Sequence, residues 1–248
     1  MELLIKITVC FIAGIGAGLG TGFAGMSAAA AISPMLIAFL GMPAYEAVGI
    51  ALASDVLASA VSAYTYGKNK NLDIKNGIVM MIAVLAFTTV DSFVSSLVPS
   101  GAMGNFSVFM TVLMGIKFIV KPVMATKEKV QSVDKRSQII RSILCGVLIG
   151  FICGFVGAGG GMMMLFVLTS VLGYELKTAV GTSVFVMTFT AFTGSVSHFA
   201  IGGAPDTWCL VVCVLSTLLW ARIAAKFANK ATPKTLNRAV GIVLVVIE

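Results

Sequence analysis

The sequence predicts an all-α polytopic membrane protein that contains two inverted-topology repeats of about five helical elements each. Three observations support this fold class: an apolar composition, an internal repeat and an uneven distribution of basic loops. Only 11% of the 248 residues are charged and 58% are hydrophobic, whereas soluble domains carry about 25% charged residues. A membrane β-barrel would need short segments of alternating polarity, and the apolar runs here do not alternate.

The apolar runs define ten helical elements. A helix needs ~20 residues to cross a hydrocarbon core ~30 Å thick. The second, seventh and tenth elements are shorter than this, so we expect short or broken helices after the glycine-rich motifs. The ten predicted elements span residues 3–24, 26–40, 43–66, 74–98, 103–121, 138–157, 159–172, 175–199, 207–226 and 234–248.

The second half of the chain repeats the first at an offset of 132 residues. The glycines at 14, 18 and 22 match those at 146, 150 and 154, and Gly41 matches Gly173. Ala47-Val48-Gly49 matches Ala179-Val180-Gly181 in the same register. We therefore predict a first transmembrane repeat at 1–121 (the first half), a basic linker at 122–137 and a second repeat at 138–248 (the second half). Because five elements is an odd number, the repeats are expected to be inverted in the membrane.

The loop charges provide an independent test of inversion, because cytoplasmic loops are rich in Lys and Arg. Lys68, Lys70 and Lys75 surround the loop before the fourth element, whereas the equivalent loop at 200–206 has no basic residue. The basic linker is predicted to be cytoplasmic and both termini external, in a multi-pass protein of the cytoplasmic membrane. If the first two elements of each half instead formed re-entrant hairpins, the number of membrane crossings would change and the termini would be placed differently. The net charge of +7 then reflects the basic residues of cytoplasmic loops, and the expected partner is the lipid bilayer, with no nucleic acid.

A glycine cluster, Gly157-Ala158-Gly159-Gly160-Gly161, stands where the sixth element ends and the seventh begins. A dinucleotide-binding loop would need a strand before it, but apolar helix flanks it here. Unwound backbone at membrane depth is tolerated where it lines a cavity or is buried in protein, and a helix N-terminus attracts anions. We predict that Gly159, Gly160 and Gly161 contact substrate. Tight helix packing is the alternative, and it is favoured for Gly146, Gly150 and Gly154.

The pattern GxxxGxxGxGGG at Gly150–Gly161, with Gly181-Thr182-Ser183 after it, resembles the TauE/SafE family of membrane anion transporters. The resemblance covers both halves and implies export of sulfite and movement of organosulfonates. Three features depart from the family pattern. The second half has Phe166 where the pattern has Pro. The first half has Ser27-Ala28-Ala29 where the glycines belong, and Gly49-Ile50-Ala51 in place of Gly-Thr-Ser. We therefore expect the two halves to be functionally unequal.

Further candidate residues are hydroxyls and acids inside apolar elements. Thr182 and Ser183, and Ser27 at the corresponding turn of the first half, are predicted to donate hydrogen bonds to a small anionic substrate; back-bonding to the helix is the alternative. Asp55 and Asp91 lie deep in the third and fourth elements, where a carboxylate is a functional candidate. A protonatable acid would let an anion carrier couple flux to protons. A buried pair with a hydroxyl or a basic residue is the alternative for both acids.

The sequence predicts a transporter that is not an enzyme and needs no cofactor. The five cysteines lack metal-ligand spacing, so no metal site is expected. Two alternatives remain: a secondary transporter of a different small solute, and an intramembrane serine protease. The second would use His198, but Ser195 and Ser197 stand too near it in sequence for the usual arrangement.

Overall fold

The computed structural model of the protein describes residues 2–95, 160–202 and 204–247, together with positions 116, 120, 140, 143–147 and 149. The described residues form helices and the turns between them, without a strand. The helices are α1 (Glu2–Ala24), α2 (Ala29–Leu40), α3 (Ala44–Lys68), α4 (Ile74–Ser95), α5 (Gly160–Ser170), α6 (Leu176–Gly202), α7 (Thr207–Lys230) and α8 (Pro233–Ile247).

The all-α membrane fold is confirmed. Four of the described helices, α1, α3, α6 and α7, are long and apolar enough to cross a bilayer. Large apolar side chains such as Leu4, Phe39 and Leu215 face outward, whereas Thr21, Asp55 and other polar side chains are buried. This arrangement suits a protein surrounded by lipid, since every buried polar group must find its partners inside the protein. The short helices α2 and α5 have 12 and 11 residues and are ~18 Å long or less.

The helix bounds agree with the predicted elements to within four residues, and the largest difference is at the end of α7, which lies at Lys230 instead of 226. The element predicted at 26–40 begins at Ala29, because Gly25 adopts φ 63° and breaks the chain direction before α2. The predicted elements at 103–121 and 138–157 lie mainly outside the described residues.

The glycines of α1 bring it into close contact with α7. A Cβ at Gly18 would lie 2.6 Å from Thr217 O and 2.8 Å from Ala221 N, and Gly14 and Gly22 meet the neighbouring turns of α7 equally closely. Such spacing of small residues lets two helix backbones approach each other. Gly146 makes the same kind of contact with α4, where its Cβ would lie 2.7 Å from Ala83 Cβ. The packing interpretation holds for these glycines, while Gly150 and Gly154 lie outside the described residues.

The long helices α3 and α6 pack antiparallel to one another. Near the start of α3, the Tyr45 ring stacks on His198 near the end of α6, with ring centroids 4.4 Å apart. At the other end of α3, Tyr66 packs on Gly181, so close that a Cβ at Gly181 would lie 2.8 Å from Tyr66 Cβ. The α3–α6 pair therefore joins the first half to the second along nearly the whole length of both helices.

Local backbone features recur in the two halves at the offset found in the sequence. Helices α2, α3 and α4 begin at 29, 44 and 74, and helices α5, α6 and α7 begin at 160, 176 and 207. Gly41 and Gly173, which follow α2 and α5, have φ 62° and 70°. The next amide bonds back to the helix in both cases, Met42 N to Leu36 O at 3.3 Å and Tyr174 N to Leu168 O at 2.9 Å.

Candidate functional site

The chain between α1 and α2, residues 25–28, is an irregular break inside the helical core. Gly25 adopts a left-handed φ of 63°, which glycine tolerates without steric cost. Thr21 Oγ1 donates a 2.9 Å hydrogen bond to Met26 O, and Tyr66 Oη donates a 2.9 Å bond to Gly22 O. These side chains satisfy carbonyl groups at and just beyond the end of α1, so the break keeps one defined conformation.

The break of the first half touches the glycine-rich start of α5 in the second half. The carbonyl oxygen of Gly25 lies so close to Gly161 that any Cβ there would collide with it, and the same Cβ would lie 2.6 Å from Met187 Sδ. On its other side, Gly25 approaches the hydroxyl of Ser183 on α6 too closely to admit a side chain. Glycine at 25 and 161 is therefore required for the two halves to meet here.

Asp55, at the middle of α3, lies beside this break. Ser27 Oγ donates to its Oδ2 at 2.8 Å, and Ser59 Oγ donates to its Oδ1 at 2.9 Å. The side chain is only 1% exposed, and the one ion pair within the described part of the chain is elsewhere, between Lys6 and Asp206. Insertion scales put the cost of an aspartate at the bilayer centre at ~2.5–3.5 kcal/mol. Because Asp55 has two hydroxyl donors and no basic partner among the described residues, burying its charged form remains unfavourable.

The starts of α2 and α5 have different electrostatic surroundings. The N–H groups at a helix start carry partial positive charge. At α2, Ala29 N donates to Ser27 Oγ at 3.3 Å, and Ser27 in turn contacts the Asp55 carboxylate. At α5, Gly161 faces the neutral thioether of Met187, which stands 132 positions after Asp55. The start of α2 therefore has a protein carboxyl group nearby, and Gly161 at the start of α5 has a neutral side chain.

The structure separates the two adjacent hydroxyls predicted to bind substrate. Ser183 faces the Gly25 break and donates a 2.9 Å bond to Val180 O of its own helix. Thr182 points toward the α3–α4 turn, where its Oγ1 accepts a 3.2 Å hydrogen bond from Asp73 N. Of the two hydroxyls, Ser183 is the one beside the contact between Gly25 and Gly161.

The remaining predicted site residues are placed as follows. Gly160 is the first residue of α5, and Gly159 lies outside the described residues. Asp91 lies on α4, but its side chain is outside the described part of the structure. The structure thus brings together Ser27, Asp55, Gly161 and Ser183.

The far end of α6 holds the residues considered for a protease. His198 Nδ1 lies 3.0 Å from Gly194 O, and Ser195 Oγ donates to Phe192 O at 3.0 Å. Each therefore bonds to its own helix, and the two do not form a nucleophile and base pair. His198 instead lines a pocket with Tyr45, Glu46, Gly49, Phe199, Ala204 and Pro205. Within the described residues, no group of three or more His, Cys, Asp or Glu side chains is arranged to hold a metal ion.

Sequence reasoning missed three contributors to this site. Ser59 stands one helical turn after Asp55, a spacing that places the two on one face and could have been recognised. Tyr66 holds the end of α1 from a position 44 residues away in the chain, and no local pattern indicates that contact. Gly25 matches Gly157 in the repeat, but its contact with Gly161 depends on how the halves pack.

Comparisons with known proteins agree with this architecture. The family model described as "Sulfite exporter TauE/SafE" matches residues 10–247. The "Probable membrane transporter protein YunE" of Bacillus subtilis is 26% identical, over 100% of this chain and 96% of its own length. The "Probable membrane transporter protein MJ0441" of Methanocaldococcus jannaschii is 27% identical, over 95% of this chain and 91% of its own. No solved structure matches the chain. The chain is a membrane transporter and belongs to the sulfite exporter TauE/SafE family.

Proposed function

We propose that this protein is a secondary transporter that exports small sulfur-containing oxyanions, such as sulfite or organosulfonates, across the cytoplasmic membrane. The observation that carries the proposal is the contact between the break at Gly25 in the first half and Gly161 at the start of α5 in the second half. Discontinuous helices that meet between two repeats are the usual substrate site of secondary transporters. The description of the matched family names sulfite export and supports this choice of substrate.

The proposed anion site lies at the N-terminus of α5, beside Ser183. The amides at the start of α5 supply partial positive charge, and the hydroxyl of Ser183 supplies a donor. Because Gly161 faces Met187 rather than a carboxylate, an incoming anion at this point has no adjacent fixed negative charge on α6. Gly159 and Gly160 would extend the same site, and Ser27 would border it from the first half. Thr182, which contacts Asp73 N, is left out of the anion contacts.

Asp55 is proposed to couple anion movement to protons. Its carboxyl group is buried and held by two hydroxyls without a basic partner in the described residues, so binding a proton removes an unfavourable buried charge. A neutral Asp55 also repels an anion less. Asp91 is kept as a second candidate for this role.

The transport cycle is proposed to be alternating access between two inverted halves. The antiparallel α3–α6 pair, helix starts that recur at offsets of 131 to 133 residues and the matching glycine caps support an inverted repeat. The basic residues near the α3–α4 turn and at the end of α7 support a cytoplasmic position for that end. One half would rotate against the other about the central site.

A substrate panel tests this function. The purified protein is heated with sulfite, taurine, ethanesulfonate, acetate and betaine, and the ligands that raise its unfolding temperature are then tested for flux in liposomes. We expect sulfite or a sulfonate to raise the unfolding temperature and to be transported. Acetate and betaine should neither raise the unfolding temperature nor be transported. A protein that carries betaine or acetate in preference to the sulfur anions would support the alternative, a transporter of a different small solute.

A further inference from the structure

Each of the helices α4 and α7 is preceded by an aspartate that binds the opposite half of the protein. Asp73 and Asp206 cap their own helices, as Asn76 N donates to Asp73 Oδ1 at 3.1 Å and Cys209 N to Asp206 Oδ1 at 3.1 Å. The capping bonds to Oδ1 leave Oδ2 and the backbone N–H of each aspartate for other partners, although Asp73 Oδ2 also accepts a 2.6 Å hydrogen bond from Asn76 Nδ2. In both cases these groups contact residues of the other half.

The first group of contacts lies at the end of α3 where the basic residues gather. Tyr174 Oη donates to Asp73 Oδ2 at 2.8 Å, and Asp73 N donates to Thr182 Oγ1 at 3.2 Å. We name Asp73, Tyr174 and Thr182 the basic-end cluster. Beside it, Tyr66 is fully buried and packs on Gly181, so this end of the α3–α6 pair is closed.

The second group lies at the opposite end of α3 and repeats the same pattern with the halves exchanged. Lys6 Nζ donates to Asp206 Oδ2 at 2.9 Å, and Asp206 N donates to Glu46 Oε1 at 2.8 Å. We name Asp206, Lys6 and Glu46 the opposite-end cluster. The pocket lined by Glu46 and His198 lies next to it.

We propose that the two clusters are the alternating gates of the transporter, each of which holds one end of the interface between the halves closed. The clusters are separated by the length of α3, which is 25 residues or ~37 Å at 1.5 Å per residue. If the halves move as in alternating access, one end opens while the other stays closed. The basic-end cluster therefore breaks when the basic end opens, and the opposite-end cluster breaks when the other end opens. The inference rests on the proposed alternating access and adds its gating residues.

The two clusters differ in chemistry. The basic-end cluster uses a phenol and a threonine hydroxyl, whereas the opposite-end cluster contains an ion pair whose side chains are 43% and 25% exposed. Salt screens exposed ion pairs far more than buried neutral hydrogen bonds. High salt is therefore expected to favour opening at the opposite end.

The test uses a reporter cysteine at the centre, Met187→Cys, in a variant whose five native cysteines are replaced by alanine. A membrane-impermeant thiol reagent is applied to either side of oriented vesicles. We expect Tyr174→Phe or Thr182→Val to raise labelling from the basic side about fivefold, the population shift that one lost hydrogen bond gives. Lys6→Met or Glu46→Leu is expected to raise labelling from the opposite side. Thr188→Val is the matched control, because Thr188 Oγ1 bonds to Val184 O of its own helix and to nothing else among the described residues.

If the two sets of variants raise labelling from opposite sides, the result supports the proposal that the two clusters are gates. This result does not depend on whether sulfite is carried, so a wrong substrate assignment would be recognised separately. Unchanged labelling, or both sets of variants opening the same side, overturns the proposal. If the cysteine variant does not fold, hydrogen exchange in the native protein replaces it. Tyr174→Phe should then speed exchange of the Asp73 amide while leaving the Asp206 amide unchanged, and Lys6→Met should do the reverse. Equal effects at both amides would also contradict the gates.

Discussion

The carbonyl oxygen of Gly25 lies directly against Gly161, although 135 residues of chain separate them and they belong to different halves of the protein. Gly25 stands in the break just after α1, and Gly161 is the second residue of α5. Since neither position admits a Cβ, the contact depends on both glycines. It places the hydroxyl of Ser183 and the carboxyl group of Asp55 on either side of one small region.

The first prediction concerns Ser183, whose hydroxyl faces the break. Ser183→Ala should fold normally, because the lost hydrogen bond runs only to Val180 O of the same helix. A lost hydrogen bond to a charged ligand is worth ~1.5–3 kcal/mol, so we expect the half-saturating sulfite concentration to rise about tenfold or more. The measurement is concentration-dependent sulfite flux in liposomes.

Ser195→Ala is the matched control for this variant. Ser195 lies on the same helix, is similarly buried and also bonds to a carbonyl three residues earlier, but it does not face the break. The half-saturating concentration should be unchanged in this control. Equal values for wild type and Ser183→Ala would remove Ser183 from the substrate site.

The second prediction concerns Asp55 and proton coupling. Asp55→Asn keeps the shape of the side chain but removes its titration, so sulfite flux should no longer respond to an imposed pH gradient. Flux driven by a sulfite gradient alone should persist. Entrapped pyranine and labelled sulfite report the two fluxes in the same vesicles. Ser54→Ala is the control, since Ser54 is buried on α3 and bonds to Ile50 O. A pH-gradient response retained in Asp55→Asn would exclude this acid as the coupling group.

The third prediction concerns the close packing of α1 on α7. Gly18→Ala inserts a methyl group 2.6 Å from Thr217 O and 2.7 Å from Trp220 Cβ, and overpacking of this kind costs ~1–3 kcal/mol. Gly16→Ala on the same helix has only Ala31 Cβ nearby, at 3.9 Å, and should be neutral or slightly stabilising. Unfolding of both variants in detergent measures their stabilities relative to wild type. Equal stability of the two variants would show that α1 and α7 do not approach as closely as described.

The fourth prediction concerns the pH dependence of the Lys6–Asp206 ion pair. The hydrogen bond from Lys6, followed by the amide of Cys209, lowers the pKa of Asp206 below its ordinary value. A lowered pKa in the folded state stabilises the protein above the unfolded pKa, about 3.9, and this stability is lost as pH falls through the folded value. Because both side chains are partly exposed, the effect should not exceed about 1 kcal/mol.

Unfolding temperatures of wild type and Asp206→Asn, measured in detergent between pH 3 and pH 8, check this effect. The difference between the two should be constant near neutral pH and should shrink in acid. A difference that grows as the pH falls would have the wrong sign for a lowered pKa.

The sequence was sufficient to predict the helices of the described residues, because long apolar runs and glycine positions are local signals. The repeat offset also anticipated features that recur in the structure, such as the left-handed glycines at 41 and 173. Contacts between the halves were harder to foresee. Asp73 and Asp206 each stand just before an apolar run, a position that indicates a helix cap, but their bonds to Tyr174 and Glu46 join residues more than 100 positions apart. Thr182 and Ser183 show the same limit, since two adjacent hydroxyls on a helix point in different directions.

Sulfite flux into liposomes, compared among wild type, Gly161→Ala and Gly16→Ala, tests most directly whether the anion site lies where Gly25 meets Gly161. Gly161→Ala adds one methyl group that must displace the Gly25 carbonyl or Met187, whereas Gly16→Ala adds it where there is room. We predict saturable sulfite flux by wild type and Gly16→Ala, and a loss of about tenfold or more in Gly161→Ala, as expected for a misplaced binding group. Absence of flux in the wild type, or equal flux in all three proteins, would contradict the proposed site.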